Sequence, residues 1–261
     1  MDRQRLLREL EMHQNELELQ NQELQAAWEK AAERTHSLEL TVKELESFSY
    51  AVSHDLRAPL RHINGYLSIL AQDFVSYLPE EAQRLLERSC RATRDMSRLI
   101  DDLLELAKVS RIKTNCKMVN VSSLAKKAIE QLAEGEPDRQ VDVRIAEGLF
   151  VQGDEALLSQ LMWNLLENAW KYTSTTQPAR IEVGRLIIDK NLVIFVKDNG
   201  VGFDSIYKDN LFDAFQRLHG REFQGNGIGL ATAKRIIDRH QGRIWAESEK
   251  GEGAIFFFTL P

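Results

Sequence analysis

Leucine and small apolar residues recur every seven positions along the first part of the chain: Leu10, Leu17, Leu24, Ala31, Leu38, Leu45 and Val52. Sustained spacing of this kind predicts a long helix with a coiled-coil seam. The intervening seam positions His13, Gln20, Ala27, Arg34, Thr41 and Phe48 are poorer, so the seam is weak. One helix over residues 1–75 would be roughly 110 Å long at about 1.5 Å per residue, and it could not bury such a stripe alone. A second heptad, Leu85, Ala92, Leu99 and Leu106 with Met96 and Leu103 between, predicts a helix over 79–113. Pro79 and the acids after it suit a helix start. The two helices form a hairpin with apolar faces on both arms. Two hairpins make a four-helix bundle, so a homodimer is expected.

The pattern changes near residue 115, where glycines and β-branched runs appear. "KMVN" reads as a short strand, followed by a serine cap and a helix through "LAKKAIEQL". "QVDVRIA" alternates as a strand, and 154–172 has the period of an amphipathic helix. "RIEVGRLII" and "NLVIFVKD" read as paired strands. "ATAKRIIDRHQG" is a helix stopped by Gly242, and "RIWAESE" and "AIFFFTLP" form a closing hairpin. The expected fold class is therefore α plus α/β: a coiled coil and helical hairpin, then an α/β sandwich with a mixed sheet. The expected domains are 1–45, 46–115 and 116–261.

Composition narrows the functional classes. The chain is 43% hydrophobic and 28% charged, with a net charge of −6. That balance gives no general pull toward nucleic acid or anionic lipid. Cys90 and Cys116 have no metal or redox spacing, so a reducing, cytoplasmic setting is the default. No apolar run approaches a membrane span, and the charged N-terminus has no signal-peptide core.

Chemistry concentrates in three stretches. In "NLLENAWKY", Asn164, Asn168 and Lys171 share one helix face beside Tyr172. Amide oxygens and a cation suit a polyphosphate bound with Mg²⁺. In "DNGVGF", Asp198 ends an apolar strand, Gly200 and Gly202 let a flat ligand approach, and the carboxylate can accept an exocyclic adenine amine. In "GNGIGL", Gly225, Gly227 and Gly229 open a helix whose N–H groups can face phosphate. Each stretch alone has an ordinary reading, as a polar face, a turn or a loop.

Their order within 70 residues resembles the ATP-binding domain shared by histidine kinases, gyrase, mismatch-repair ATPases and a heat-shock chaperone. With "SHDLRAPL" upstream, residues 45–261 look like a sensor histidine kinase of two-component signalling. The resemblance implies Asn168 as Mg²⁺ ligand with Asn164 assisting, and Lys171 and Tyr172 at the phosphates and nucleotide. It places Asp198 at adenine, with Gly200 and Gly202 around it, and the three later glycines at the phosphate end. "LFDAFQR" matches the phenylalanine box of an ATP lid, carrying Phe212 and Phe215 and placing Arg217 at the γ-phosphate. Residues 203–224 are then expected to move over ATP.

His54 lies about 200° around the helix from Val52 and faces outward. Asp55 can hold one ring N–H and leave the other nitrogen to attack phosphorus, the orienting logic of a His–acid pair. Pro59 is expected to bend the helix nearby. His62 is a weaker alternative acceptor. The water-cleaving relatives carry a glutamate at the position of Asn164, and an amide cannot serve as that base. Glu167 adjoins Asn168 but sits off its face. Ala58 stands where many relatives have Thr or Asn, so slow dephosphorylation of a partner is expected.

The implied activity is ATP-dependent phosphorylation of His54, then transfer to an aspartate of a response-regulator receiver domain. That domain is expected to dock near Leu60, Asn64 and Leu67. An upstream sensor domain or protein could act through the coil. A coiled-coil scaffold that binds ATP without modifying His54 is the rival reading.

Overall fold

The computed structural model describes residues 2–109, 114–216, 223 and 225–261. It comprises two compact units, Met1–Ser49 and Tyr50–Pro261.

Helix α1 spans Asp2–Ile69 and continues through Pro59. In the first unit, Leu17, Leu24 and Ala31 of the predicted seam are exposed, as is Trp28. Leu10, Leu38, Leu45 and Phe48 have side chains outside the described set.

In the second unit the chain leaves α1 through a π-helical turn, Leu70–Phe74, and a 3₁₀ turn, Val75–Tyr77. Helix α2, Glu80–Val109, then returns, with Glu80 and Glu81 at its positive end. Gln83 braces the reversal by donating to the carbonyls of Val75 and Leu78, both at 3.0 Å. Inside the hairpin, Leu60 packs with Ile100 and Leu104. Five of the buried α2 positions, Leu86, Thr93, Ile100, Leu104 and Ala107, lie one residue beyond the predicted stripe, and Val109 is buried at the helix end. Leu85 and Met96 remain exposed, as do Val52, Leu56 and Ile63 on α1 and Leu70 at the start of the turn. The adjacent stripe therefore faces away from the intrachain seam. Arg57 ties the arms together through Asp101, with its Nε 3.1 Å from Oδ1.

Strand β1, Lys117–Asn120, leads to helix α3, Val121–Gly135. The cap is Asn120, whose side chain accepts from the Ser123 N–H, rather than a serine. Ser122 instead staples α3 to the next loop, donating to the Ala146 carbonyl at 2.7 Å and accepting from the Leu149 N–H at 3.0 Å. Strands β2, Val141–Ile145, and β3, Phe150–Gly153, precede helix α4, Glu155–Tyr172. Strands β4, Ala179–Ile188, and β5, Asn191–Asp198, follow. Helix α5, Gly229–Arg239, and strands β6, Arg243–Glu249, and β7, Gly253–Thr259, complete the chain.

The main sheet has the order β2-β4-β5-β7-β6, with β2 parallel to β4 and the other pairs antiparallel. Strands β1 and β3 form a separate antiparallel pair. Helix α4 presses Leu157, Leu158, Leu161, Met162, Leu165, Leu166 and Ala169 into the core, with Ile181, Ile194, Val196 and Phe258 from the sheet. Truncating one such leucine to alanine costs about 2–5 kcal/mol. This burial fixes the rotation of α4, and the rotation decides what its opposite face can do.

Asp154 anchors that helix. Its carboxylate accepts from the N–H groups of Ala156 and Leu157 and, through its other oxygen, from Asn115 at 2.9 Å. Those donors outweigh burial and hold its pKa below the ordinary aspartate value. The Asp154 N–H donates to Nε2 of buried His240 at 3.0 Å, so the hydrogen of that ring is on Nδ1, facing the Ile236 carbonyl.

Candidate nucleotide site

The face of α4 that lines the cleft presents Asn164, Glu167, Asn168 and Lys171, at the spacing expected of one helix stripe. These residues line a cleft of about 1660 Å³ whose other walls come from the end of β5, the glycine-rich entry to α5 and one side of α2. Tyr172, Asp198, Gly202, Gly225, Gly227 and Gly229 line the same cleft. Nine of the thirteen residues expected at the nucleotide therefore converge on it.

At one end, Asp198 is 3% exposed. Burial raises its pKa to about 6, against the opposing pull of the Gly200 and Ala254 N–H groups. The Gly200 N–H donates to Oδ1 at 2.8 Å. Gly200 is a shape requirement, since a Cβ there would lie 2.4 Å from the Tyr172 carbonyl oxygen. Gly202 has φ +59°, and a Cβ would lie 2.2 Å from the Glu249 carbonyl oxygen. Both glycines thus hold the turn tight beneath the carboxylate.

At the other end, Asn168 Oδ1 accepts from Lys171 Nζ at 3.1 Å, and Lys171 lies 4.3 Å from the Tyr172 ring centroid. Tyr172 meets Phe223 with centroids 5.2 Å apart. Asn164 is buried, and its Nδ2 has no hydrogen-bond partner. A buried amide in that condition is costly unless a ligand completes it. The donor set fits a magnesium polyphosphate, since Mg²⁺ takes few protein oxygens and keeps phosphates and water as its other ligands. Among the described residues there is no cluster of three or more His, Cys, Asp or Glu side chains for a self-sufficient metal site.

Of the segment expected to move over ATP, the structure describes 203–216 and 223. Residues Ser205–Asn210 form a 3₁₀ turn capped by Asp204, whose side chain accepts from the Ile206 N–H. Phe212 packs on the core, while Phe215 is exposed with φ +67° and donates its N–H to the Gly227 carbonyl at 2.9 Å. Neither phenylalanine lines the cleft. Arg217 lies outside the described residues.

Sequence spacing gave no sign of the α2 wall. Asp102, Glu105 and four arginines of α2 line the cleft opposite α4. Glu167, set aside in the sequence for facing away from Asn168, lines it too. Burial raises the pKa of Glu105 and Glu167, and in each the Asp102 charge adds to the effect. Asn226, inside the glycine stretch, donates to Asp102 Oδ2 at 2.9 Å. The signal for this wall lay in the acid–base alternation of "RDMSRLIDDLLE", which reads equally as a solvated helix face.

His54 and Asp55 stand apart from the cleft. Their side chains are 68% and 82% exposed, and His54 Nδ1 lies 3.2 Å from Asp55 Oδ1. Because a carboxylate can only accept, that contact puts hydrogen on Nδ1 and leaves the Nε2 lone pair to solvent. Leu60 is buried in the hairpin seam, and Asn64 and Leu67 are half-buried. The surface expected to receive a receiver domain is therefore largely covered by α2.

Among the described residues, no helix is long and apolar enough to cross a membrane. Residues 44–111 match the His Kinase A (phospho-acceptor) domain, and 153–261 match the histidine kinase-, DNA gyrase B- and HSP90-like ATPase domain. Cyanobacterial phytochrome A of Nostoc sp. is 35% identical over 234 residues, covering 89% of this chain and 30% of the relative. The methanogenesis regulatory histidine kinase FilI of Methanothrix harundinacea is 34% identical over 230 residues, covering 88% and 26%. The chain thus spans under a third of the length of these curated relatives. A crystal structure of full-length ShkA in complex with AMPPNP shares the fold, with a TM-score of 0.62 at 23% identity, covering 82% of this chain and 45% of that one. The two domain matches, in this order and over well over half of its length, show that the chain belongs to the histidine kinases.

Proposed function

We propose that the chain is the kinase core of a two-component sensor, which phosphorylates His54 from ATP and passes the group to a receiver aspartate. The observation that carries this reading is the single cleft holding Asn164, Asn168, Lys171 and Asp198 in a chain that also displays an exposed His54–Asp55 pair. The AMPPNP bound by ShkA agrees with a nucleotide in such a cleft. The roles divide as 1–45 for a signalling helix, 46–115 for dimerisation and phosphotransfer, and 116–261 for ATP.

Asp198 and the Gly200 turn would hold adenine, and Lys171 would meet the phosphates. Asn168 and Asn164 would hold Mg²⁺, which supplies charge neutralisation to the transferring phosphoryl group. His54 Nε2 forms the bond to the γ-phosphorus as the bond to the β–γ bridging oxygen breaks, and ADP leaves. Asp55 keeps the ring oriented and stabilises the charge that develops at Nδ1–H. The phosphoryl group then moves to the receiver carboxylate, and His54 is restored. The receiver approaches along the exposed flank of Ala58, Arg61 and Gly65, which shares a face with His54.

His54 does not line the cleft, so the transfer geometry requires either movement of the ATP domain or the cleft of a second copy in a homodimer. The exposed apolar stripe on both arms supports the dimer. The test is incubation with γ-labelled ATP and Mg²⁺ beside His54→Ala and Asn168→Ala. Acid-labile, alkali-stable label absent from both variants is expected. ATP binding without label would favour the scaffold reading.

A further inference from the structure

Arg88, Arg91, Arg94 and Arg98 of α2 all line the nucleotide cleft, and the proposed reaction uses none of them. Like charges three and four residues apart on a helix repel. The protein offsets only part of this. Arg94 Nε donates to the Cys90 carbonyl at 3.2 Å, and Arg98 lies 4.0 Å from Asp95. Among the described residues, neither Arg88 nor Arg91 has an ion-pair partner.

The charges are also sorted. Asp102, Glu105 and Glu167 gather where α2 meets α4 and the glycine-rich turn, while the four arginines, with Asp95 as the one acid among them, occupy the stretch of α2 before them. Arg98 is the junction, since its charge acts on Glu167 across the cleft. The cleft exceeds the roughly 300–1000 Å³ of an ordinary small-molecule pocket. An adenine at Asp198 leaves room for a phosphate chain to reach α2. Guanidinium groups suit that task because their planar forks donate in pairs to phosphate oxygens.

We propose that Arg91, Arg94 and Arg98 form a second phosphate-binding wall, which grips the polyphosphate of the nucleotide bound in the cleft of the same chain. This rests on the reading of the cleft as an ATP site. The phosphates then bridge the ATP domain and α2, and the nucleotide strengthens the docked arrangement. Affinity should depend on phosphate number, with adenosine indifferent to the arginines.

The test is calorimetric titration of the full chain with ATP, ADP and adenosine in Mg²⁺, at two salt concentrations, for the wild type and R91Q/R94Q/R98Q. The expected result is about tenfold or greater weakening of ATP, a smaller loss for ADP and none for adenosine, with a shallower salt dependence. ATP affinity within twofold of the wild type would overturn the wall while leaving the ATP reading intact. Equal weakening of ATP and adenosine would also overturn it, by showing a structural role. A wild-type chain that bound none of the three would overturn the ATP reading itself.

Discussion

The Asn226 side-chain amide donates to the Asp102 carboxylate at 2.9 Å, joining the glycine-rich turn of the ATP domain to α2. The bond spans the cleft at the level of α2 where Asp101 pairs with Arg57 of α1. Hydrogen bonds to charged groups contribute about 1.5–3 kcal/mol. Asp102→Ala should remove the tie and also relieve the carboxylate repulsion felt by Glu105 and Glu167. The expected outcome is faster His54 labelling at saturating ATP, by roughly 10- to 150-fold. An unchanged or slower rate would show that the tie does not restrain transfer.

Burial of the Asp198 carboxylate costs stability when it ionises. Its pKa of about 6 in the folded chain exceeds the ordinary aspartate value of 3.8. The folded state therefore holds the proton more tightly than the unfolded chain. The stabilisation is fully present below about pH 4 and is lost as pH rises through about 6. Above that, ionised Asp198 costs on the order of 3 kcal/mol. Asp198→Asn should melt several degrees higher than the wild type at pH 8, with the gap closing toward pH 4. The same change should weaken ATP binding. In the wild type, affinity should rise with pH through about 6, because the ionised carboxylate is the stronger acceptor. A thermal-melt series across pH 4–8 with and without ATP reads both effects.

Asp55 is next to its target in sequence and in space, with Oδ1 3.2 Å from His54 Nδ1. Asp55→Asn keeps the size but loses the charge that holds the Nδ1–H tautomer. Labelling of His54 should fall by about 10²- to 10⁴-fold, the range typical of a positioned acid–base group. ATP affinity should stay unchanged, since Asp55 is outside the cleft. A parallel fall in affinity would contradict this separation.

Two glycines differ in what they protect. Gly227 has φ +71°, and an added Cβ would lie 2.4 Å from the Gln216 carbonyl oxygen, at the edge of the lid. Gly202 would collide with the Glu249 carbonyl oxygen, at the end of a core strand. Gly227→Ala should abolish ATP binding with little change in melting temperature. Gly202→Ala should lower the melting temperature as well. Equal melting losses in both would mean that the lid edge is part of the stability core.

Much of this architecture could be read from the residues, and the exceptions have physical causes. The strands paired by hairpins carry alternation and β-branched runs, and α4 has a clear period. Strand β3, Phe150–Gly153, escaped because it ends on a glycine directly before the Asp154 cap, so its residues read as a turn into α4. On α2, Leu85 is followed by Leu86, Leu99 by Ile100 and Leu106 by Ala107. Two adjacent apolar stripes fit the seven-residue count equally, and only packing against α1 selects the second. The α4 and β5 site residues were legible because each sits at a fixed offset within one element. Asp102, Glu105 and the arginines became neighbours of the nucleotide site only through docking of α2, which no local period encodes.

Strands β5 and β7 are neighbours in the sheet although residues 199–252 lie between them, including the glycine-rich entry, α5 and β6. The lid leaves and returns to a frame already closed on either side, with Asp198 paired to Ala254 at its base. Loop-closure entropy grows only logarithmically, so doubling the length of such an excursion costs about 0.6 kcal/mol. The stretch from Asp204 to Gln216 and beyond can therefore lengthen, shorten or accept an inserted sequence with little penalty to the sheet. Timing and nucleotide preference can be tuned there while the foundations of the site stay as they are.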